Sequence, residues 1–123
     1  MSPLTITTRD AATGPVLEIT GELDHQTAPE LRKAVKGLAL AAGQLLVLDL
    51  ASLDFCDSSG ISALLSARSL AAEQGVGVAL TAVPANTARI LRIVGLDQVF
   101  TIYDNVEAAT ATGSSDSSFR QTI

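Results

Sequence analysis

An almost unbroken apolar hexapeptide, Leu-Leu-Val-Leu-Asp-Leu at residues 45–50, restricts the folds open to this chain. A strand that packs on one face alternates apolar and polar residues, whereas a strand covered on both faces is apolar almost throughout. The run is also shorter than an ordinary helix. The hexapeptide therefore predicts a central strand of a sheet that is covered on both faces.

The residues before this run predict a β-hairpin. Residues 4–7 alternate apolar and polar side chains, and Val16, Leu17 and Ile19 form a second apolar segment that leads to Gly21. The residues between them, 12–15, are Ala-Thr-Gly-Pro, which is typical of a turn. Two short strands joined by a turn are therefore expected ahead of the first helix.

The first helix is predicted to begin at Thr27-Ala28-Pro29-Glu30, which has the pattern of a capping box. In that motif the Thr27 hydroxyl accepts a hydrogen bond from the backbone and Glu30 reaches back to it. Apolar residues continue at helical spacing as far as Ala42, so we expect Gly43 to end the helix.

Further elements follow, each bounded by glycine, proline or a polar turn. They are a helix after Gly60 up to Gly75, a strand over 76–82, a helix over 84–95, a short strand over 99–102 and a last helix over 104–112. Strands that alternate with helices imply β-α crossovers and parallel strand pairs. The predicted class is α/β, a mixed sheet with an N-terminal hairpin, β-α units and helices packed on the sheet.

The chain length suits one domain, since 123 residues can bury a substantial core. From Gly113 the sequence becomes Gly-Ser-Ser-Asp-Ser-Ser, which is too polar to offset the entropy of ordering. We therefore expect one domain over 1–112 and a disordered Ser-rich tail over 113–123.

The composition opposes several classes of partner and site. Thirteen acidic residues against eight basic ones give a formal charge of −5, which disfavours binding to nucleic acid phosphates. One cysteine cannot form an internal disulfide, and one histidine cannot supply a multi-histidine metal site. Neither a secretory signal nor a membrane-spanning apolar stretch is visible. We expect a cytoplasmic protein with no direct nucleic acid or membrane partner.

The segment Asp57-Ser58-Ser59-Gly60 is predicted to join the central strand to a helix. Open α/β sheets place their sites at this edge. Ser58 or Ser59 is expected to be the N-cap, and the backbone N–H groups of the first helical turn favour an anion such as a phosphoserine. A purely structural interpretation, in which Ser58 caps the helix and Gly60 allows a tight turn, explains the same residues.

Separate segments of the sequence resemble the STAS family of anti-sigma factor antagonists, over about residues 4–112 and at comparable spacings. These segments are Gly21-Glu22-Leu23-Asp24 with Thr27-Ala28, Leu53 to Ile61 with its Asp-Ser-Ser-Gly tetrapeptide, and Gly95-Leu96 with Phe100. The resemblance implies a single STAS domain, in agreement with the α/β class.

The resemblance also implies a regulatory protein and not an enzyme. In that family the first serine of the motif, here Ser58, is phosphorylated by the anti-sigma factor, a serine kinase that binds ATP and magnesium. The unphosphorylated antagonist binds the anti-sigma factor and frees a sigma factor, and a serine phosphatase resets the phosphorylated form. This chain would then have no catalytic residue, no cofactor and no metal, and would exchange partners as a monomer.

The resemblance to the STAS family also implies which residues around Ser58 contact the partner. Asp24 and Asp57 resemble positions that contact or orient the kinase, although a turn or cap is the simpler account of Asp24 alone. Ser59 is either a second phosphate acceptor or a second capping hydroxyl. Gly60 and Ile61 complete the predicted partner-binding segment. Cys56, where the family often has Met or another apolar residue, is expected to be a small buried hydrophobe.

The same residues are compatible with other functions, namely a binding module outside a sigma pathway or an enzyme. A STAS module that binds a small ligand, or a transport or signalling complex outside a sigma pathway, fits the same fold. An enzyme would need a base such as His25 to activate Ser58, but Ser58 lacks the Gly-x-Ser-x-Gly context of a nucleophile elbow. Arg89 and Arg92 lie three residues apart on a predicted helix, where they could touch an acidic partner or form an ordinary solvated face.

Overall fold

The computed structural model describes residues 4–111, so the tail predicted over 113–123 lies outside the described residues. Within that range strands alternate with helices after an initial pair of strands. The elements are β1 (Leu4–Ala11), β2 (Gly14–Leu23), α1 (Ala28–Lys36), β3 (Leu45–Asp49), β4 (Leu53–Cys56), α2 (Ser58–Glu73), β5 (Gly77–Thr81), α3 (Ala85–Ile93), a 3-10 turn (Leu96–Gln98), β6 (Thr101–Tyr103) and α4 (Val106–Thr110). The predicted α/β class is confirmed.

One mixed sheet contains all six strands of the described range, in the order β1-β2-β3-β5-β6 with β4 also paired to β2. β1 and β2 form the predicted antiparallel hairpin, and the remaining pairs are parallel. In β3, Leu46 and Leu48 pack on one side of the sheet and Val47 packs on the other. The apolar hexapeptide is therefore the central strand that its composition predicted.

Helices cover both faces of this sheet. Leu31 of α1, Leu64 of α2 and Leu91 of α3 join the larger core cluster, whereas Val106 and Ala109 of α4 cover Val47 on the opposite face. Each fully buried leucine stabilises the fold by roughly 1.5–3 kcal/mol relative to an exposed one. No helix within residues 4–111 combines the length and apolar character needed to cross a bilayer.

Helix α1 is shorter than the sequence predicted. It ends at Lys36, and Gly37 caps it by donating its N–H to the Lys33 carbonyl at 3.0 Å. The chain then turns towards β3, where the Gln44 side chain accepts a hydrogen bond from the Ala41 N–H at 2.9 Å. The prediction of a helix up to Gly43 is wrong because glycine at 37 disfavours continuation and apolar residues beyond it pack without helical backbone.

A short strand separates the central strand from α2. After β3 the chain turns, with the Leu53 N–H bonded to the Leu50 carbonyl at 3.1 Å, and resumes as β4, which within residues 4–111 pairs only with β2. The segment at 57–60 therefore follows β4 and not the central strand, contrary to the prediction. The local signal for this turn is Asp49, whose Oδ1 accepts a hydrogen bond from the Ala51 N–H at 3.1 Å, together with Ser52, but it lies at the end of a run that is otherwise apolar.

Candidate functional site

The two motif segments meet at the carboxyl ends of β2 and β4. These strands are parallel, and Leu23 is the register partner of Cys56. Asp24 and Asp57 are therefore the first residues beyond two neighbouring strands at the same edge. The Asp57 N–H also donates to the Leu23 carbonyl at 3.4 Å, which links the two segments directly.

Asp57 is the N-cap of α2. Its backbone is extended, with φ −100° and ψ −167°, and its Oδ1 accepts a hydrogen bond from the Gly60 N–H at 3.0 Å. The prediction that Ser58 or Ser59 caps the helix is therefore wrong. A carboxylate at this position satisfies an otherwise unpaired N–H and also interacts favourably with the helix dipole.

Because Asp57 caps α2, neither the Ser58 hydroxyl nor the Ser59 hydroxyl serves as the helix cap. Ser58 is the first residue of α2 and is exposed, and Ser59 is half-buried. Neither hydroxyl has a hydrogen-bond partner among residues 4–111. Ser58 therefore presents an accessible hydroxyl whose modification breaks no contact in the described part of the fold.

Asp24 organises the turn between β2 and α1. Its Oδ1 accepts hydrogen bonds from the N–H groups of Gln26 at 3.0 Å and Thr27 at 3.1 Å. Asp24 is half-buried in this turn, so the turn role considered for it is confirmed.

Thr27 is the N-cap of α1, but its hydroxyl points back towards β2. The hydroxyl donates to the Glu22 carbonyl at 2.8 Å and accepts from the Asp24 N–H at 2.9 Å. It makes no side-chain cap bond, so the predicted capping box is wrong on this point. Thr27 has helical dihedral angles, φ −99° and ψ −14°, unlike the extended backbone of a typical N-cap.

Gly60 packs against both strands at this edge. A Cβ atom at Gly60 would collide with the Leu23 carbonyl oxygen and lie 2.7 Å from the Cys56 Sγ. Gly60 is helical and buried, so space and not an unusual dihedral angle requires glycine here. The tight-turn explanation offered by the sequence is therefore replaced by close packing between α2 and β2.

Cys56 and Ile61 are buried on either side of the motif. Cys56 is 7% exposed and Ile61 is 6% exposed, and both belong to the core. Burial, with a smaller contribution from the Asp57 carboxylate, raises the pKa of the Cys56 thiol to about 12. The thiol is therefore protonated at neutral pH, in agreement with the predicted role as a small hydrophobe.

Within residues 4–111, no base is hydrogen-bonded to the Ser58 hydroxyl. His25 is exposed in the Asp24 turn, and no hydrogen bond joins it to Ser58 in the described range. A nucleophilic serine requires such a bond to a base.

Phe55 is a candidate contact residue that the sequence did not reveal. It is 50% exposed although it lies in a strand beside a core cysteine. The register of β2 and β4 passes from Gly21–Leu53 to Glu22–Phe55, so Asp54 is an extra residue on β4 and forms a bulge. A bulge disrupts the alternation of side chains, which leaves Asp54 and Phe55 both exposed.

Comparisons with known proteins agree with the resemblance found in the sequence. Residues 4–109 match the family described as STAS domain. An anti-sigma F factor antagonist of Paenibacillus polymyxa is 32% identical over 91 residues, covering 73% of this chain and 78% of that protein. The anti-sigma-F factor antagonist RsfB of Mycobacterium tuberculosis is 31% identical over 106 residues, covering 86% of each chain.

A comparison of three-dimensional structures also finds an anti-sigma factor antagonist. The crystal structure of an anti-sigma factor antagonist from Mycobacterium paratuberculosis aligns with a TM-score of 0.71 at 30% identity. The alignment covers 86% of this chain and 90% of that one. Sequence and structure therefore point to the same group of relatives over most of the described range.

Proposed function

The chain belongs to the STAS-domain family of anti-sigma factor antagonists, and on this premise we propose that it binds an anti-sigma factor serine kinase and is released by phosphorylation of Ser58. In this proposal the unphosphorylated chain occupies the kinase and thereby frees a sigma factor. A serine phosphatase regenerates the binding form. ATP and magnesium belong to the kinase, and this chain is the substrate.

The observation that carries the proposal is the free hydroxyl of Ser58 at the start of α2. It is exposed, and Asp57 already supplies the cap. A phosphate on Ser58 would add between −1.5 and −2 charges at neutral pH, at roughly the position where the helix dipole favours anions. The fold should therefore tolerate phosphorylation, with a helix-terminus effect of about 0.3–1 kcal/mol in its favour.

The same charge has the opposite effect at a docking surface. Asp24 and Asp57 are already acidic groups at this edge, so a phosphate increases the local negative charge. An unmatched charge buried against a partner costs several kcal/mol, and each 1.4 kcal/mol changes affinity about tenfold. Release by phosphorylation is thus a local electrostatic effect that leaves the fold unchanged.

The test uses each anti-sigma factor kinase encoded in the genome of origin, purified and mixed with the chain, ATP and magnesium. Mass spectrometry maps the phosphate in wild type, Ser58→Ala and Ser59→Ala. We expect phosphate on Ser58 in wild type and in Ser59→Ala, and none in Ser58→Ala. Phosphate that persists in Ser58→Ala would place the modification elsewhere and contradict the assignment.

Binding is measured with the same kinase by calorimetry. Ser58→Asp should bind at least about tenfold more weakly than wild type, whereas Ser58→Ala should bind as wild type does. Ser62→Asp is a matched control, because Ser62 is an exposed residue one helical turn further along α2. Equal affinity of Ser58→Asp and wild type would rule out the switch, and stable binding with no phosphorylation by any kinase would favour a scaffold or ligand-binding module.

A further inference from the structure

A cleft of about 310 Å³ lies between β4 and the start of α3, next to the segment that carries Ser58. Residues 53–56 of β4 form one wall, and Pro84, Thr87, Arg89 and Ile90 form the other. We refer to it as the Phe55 cleft, because the half-exposed ring of Phe55 is its largest exposed apolar group. A volume of this size accommodates a large apolar side chain together with adjoining backbone.

The cleft exists because β4 is paired on one side only. Within residues 4–111, β4 pairs with β2 and with no other strand, while β5 ends at Thr81 and the chain leaves through Pro84 into α3. The bulge at Asp54 then leaves Phe55 partly outside the core. A ring that remains 50% exposed beside a cleft is the type of group that an interface buries.

The charge along α3 is opposite to that of the chain as a whole. Residues 84–96 contain Arg89 and Arg92 and no acidic residue, although the chain carries −5 overall. Both arginines are exposed, and neither forms an ion pair within the described range, where the observed ion pair joins Arg9 to Glu18. Asp54 is the acidic side chain of the cleft, and it lies on the β4 wall.

These charges indicate the chemistry of a matching partner. Its acidic groups would meet the α3 side, where Arg89 and Arg92 are unpaired, and its apolar side chain would enter between Ile90 and Phe55. Cys56 lines the cleft, and Ser58 follows two residues later. The wall of the cleft formed by β4 therefore leads along the chain to the residue at which phosphorylation is proposed to act.

We propose that the Phe55 cleft is the anchor site of the anti-sigma partner, which inserts one large apolar side chain from an acidic segment. This inference rests on the proposed function and adds a second contact region to it. The anchor makes no use of the Ser58 hydroxyl. It contributes affinity by burying apolar surface, while Ser58 supplies the regulated part of the contact.

The experiment measures binding of the anti-sigma factor kinase to four variants beside wild type and Ser58→Asp. Phe55→Ala removes the ring, and Ile102→Ala is its control because Ile102 is 40% exposed on β6, at the edge of the sheet. Arg89→Glu reverses a cleft charge, and Arg68→Glu makes the same change in net charge at an exposed residue of α2. Circular dichroism and thermal unfolding confirm that each variant folds.

We expect Phe55→Ala to weaken binding about tenfold or more, mainly through faster dissociation. Arg89→Glu should slow association and reduce its dependence on salt, and both controls should bind as wild type does. If Ser58→Asp weakens binding while Phe55→Ala and Arg89→Glu match their controls, the anchor is overturned and the switch stands. If no kinase binds wild type, the proposed function fails and the anchor fails with it. A wild-type dimer that Phe55→Ala dissociates would place a second copy in the cleft and overturn the proposal.

Discussion

The backbone of Gly60, in the first turn of α2, approaches the carbonyl oxygen of Leu23 so closely that no side chain fits between them. That oxygen also accepts the Asp57 N–H. One carbonyl at the end of β2 thus contacts both the N-cap residue and the first turn of α2. Ser58 lies between these two contacts and is exposed.

Replacing Gly60 by alanine should therefore destabilise the fold. The new methyl group collides with the Leu23 carbonyl and lies 2.7 Å from the Cys56 Sγ, so α2 must move away from β2. Overpacking of this kind costs roughly 1–3 kcal/mol of unfolding free energy. Urea unfolding followed by circular dichroism measures the loss.

Gly37→Ala is the matched control. A Cβ at Gly37 meets its nearest atom at 3.5 Å, and the φ of −80° suits any residue. We expect between no change and about 1 kcal/mol of stabilisation, because alanine restricts the unfolded chain. Equal stabilities for Gly60→Ala and Gly37→Ala would show that the contact between Gly60 and Leu23 is not a constraint.

Thr27 connects β2 to α1 through a buried hydroxyl. Thr27 is 1% exposed, and its hydroxyl bonds to the Glu22 carbonyl and the Asp24 N–H. Thr27→Val keeps the shape but leaves both backbone groups without this partner, which should cost about 1–3 kcal/mol of unfolding free energy. Thr27→Ser should recover most of the loss in the same urea experiment. A valine variant as stable as wild type would contradict this role.

The sequence predicted the architecture better than it predicted the site. The run at 45–50 identified the central strand because burial on both faces removes polar residues, a signal that is visible in one dimension. The prediction of an N-cap at Ser58 or Ser59 is wrong because aspartate and serine are both good caps, and only the extended backbone at Asp57 decides between them. The turn at 51–52 has a local signal in Asp49, whose Oδ1 accepts the Ala51 N–H, but the bulge at Asp54 depends on pairing with β2, so the exposure of Phe55 had no local signal.

Asp57 has separable roles as a cap and as an acidic group at the edge. Asp57→Ala removes the acceptor for the Gly60 N–H and should cost about 0.5–2 kcal/mol of unfolding free energy. Asp57→Asn keeps an acceptor oxygen, so its stability should stay close to that of wild type. Binding to the anti-sigma kinase, measured in parallel, should fall in both variants if the carboxylate charge contacts the partner. Wild-type affinity of Asp57→Asn would limit Asp57 to the cap.

The buried thiol of Cys56 makes stability depend on pH in the alkaline range. Burial, and then the Asp57 carboxylate, raise its pKa to about 12 in the folded chain, whereas an unfolded chain ionises its thiol near a pKa of about 8.5. Between these values the unfolded state has lost a proton that the folded state still holds. The contribution of this group is therefore complete below pH of about 8.5 and declines as the pH rises towards about 12.

Urea unfolding of wild type and Cys56→Ala between pH 7 and about 10.5, with reductant present, isolates this contribution. The alanine variant is less stable at neutral pH because it loses a packed side chain, so the slopes are compared and not the absolute values. We expect the free energy of unfolding to fall more steeply with pH in wild type. Parallel curves would mean that the thiol ionises equally in both states, which is incompatible with its burial against Gly60.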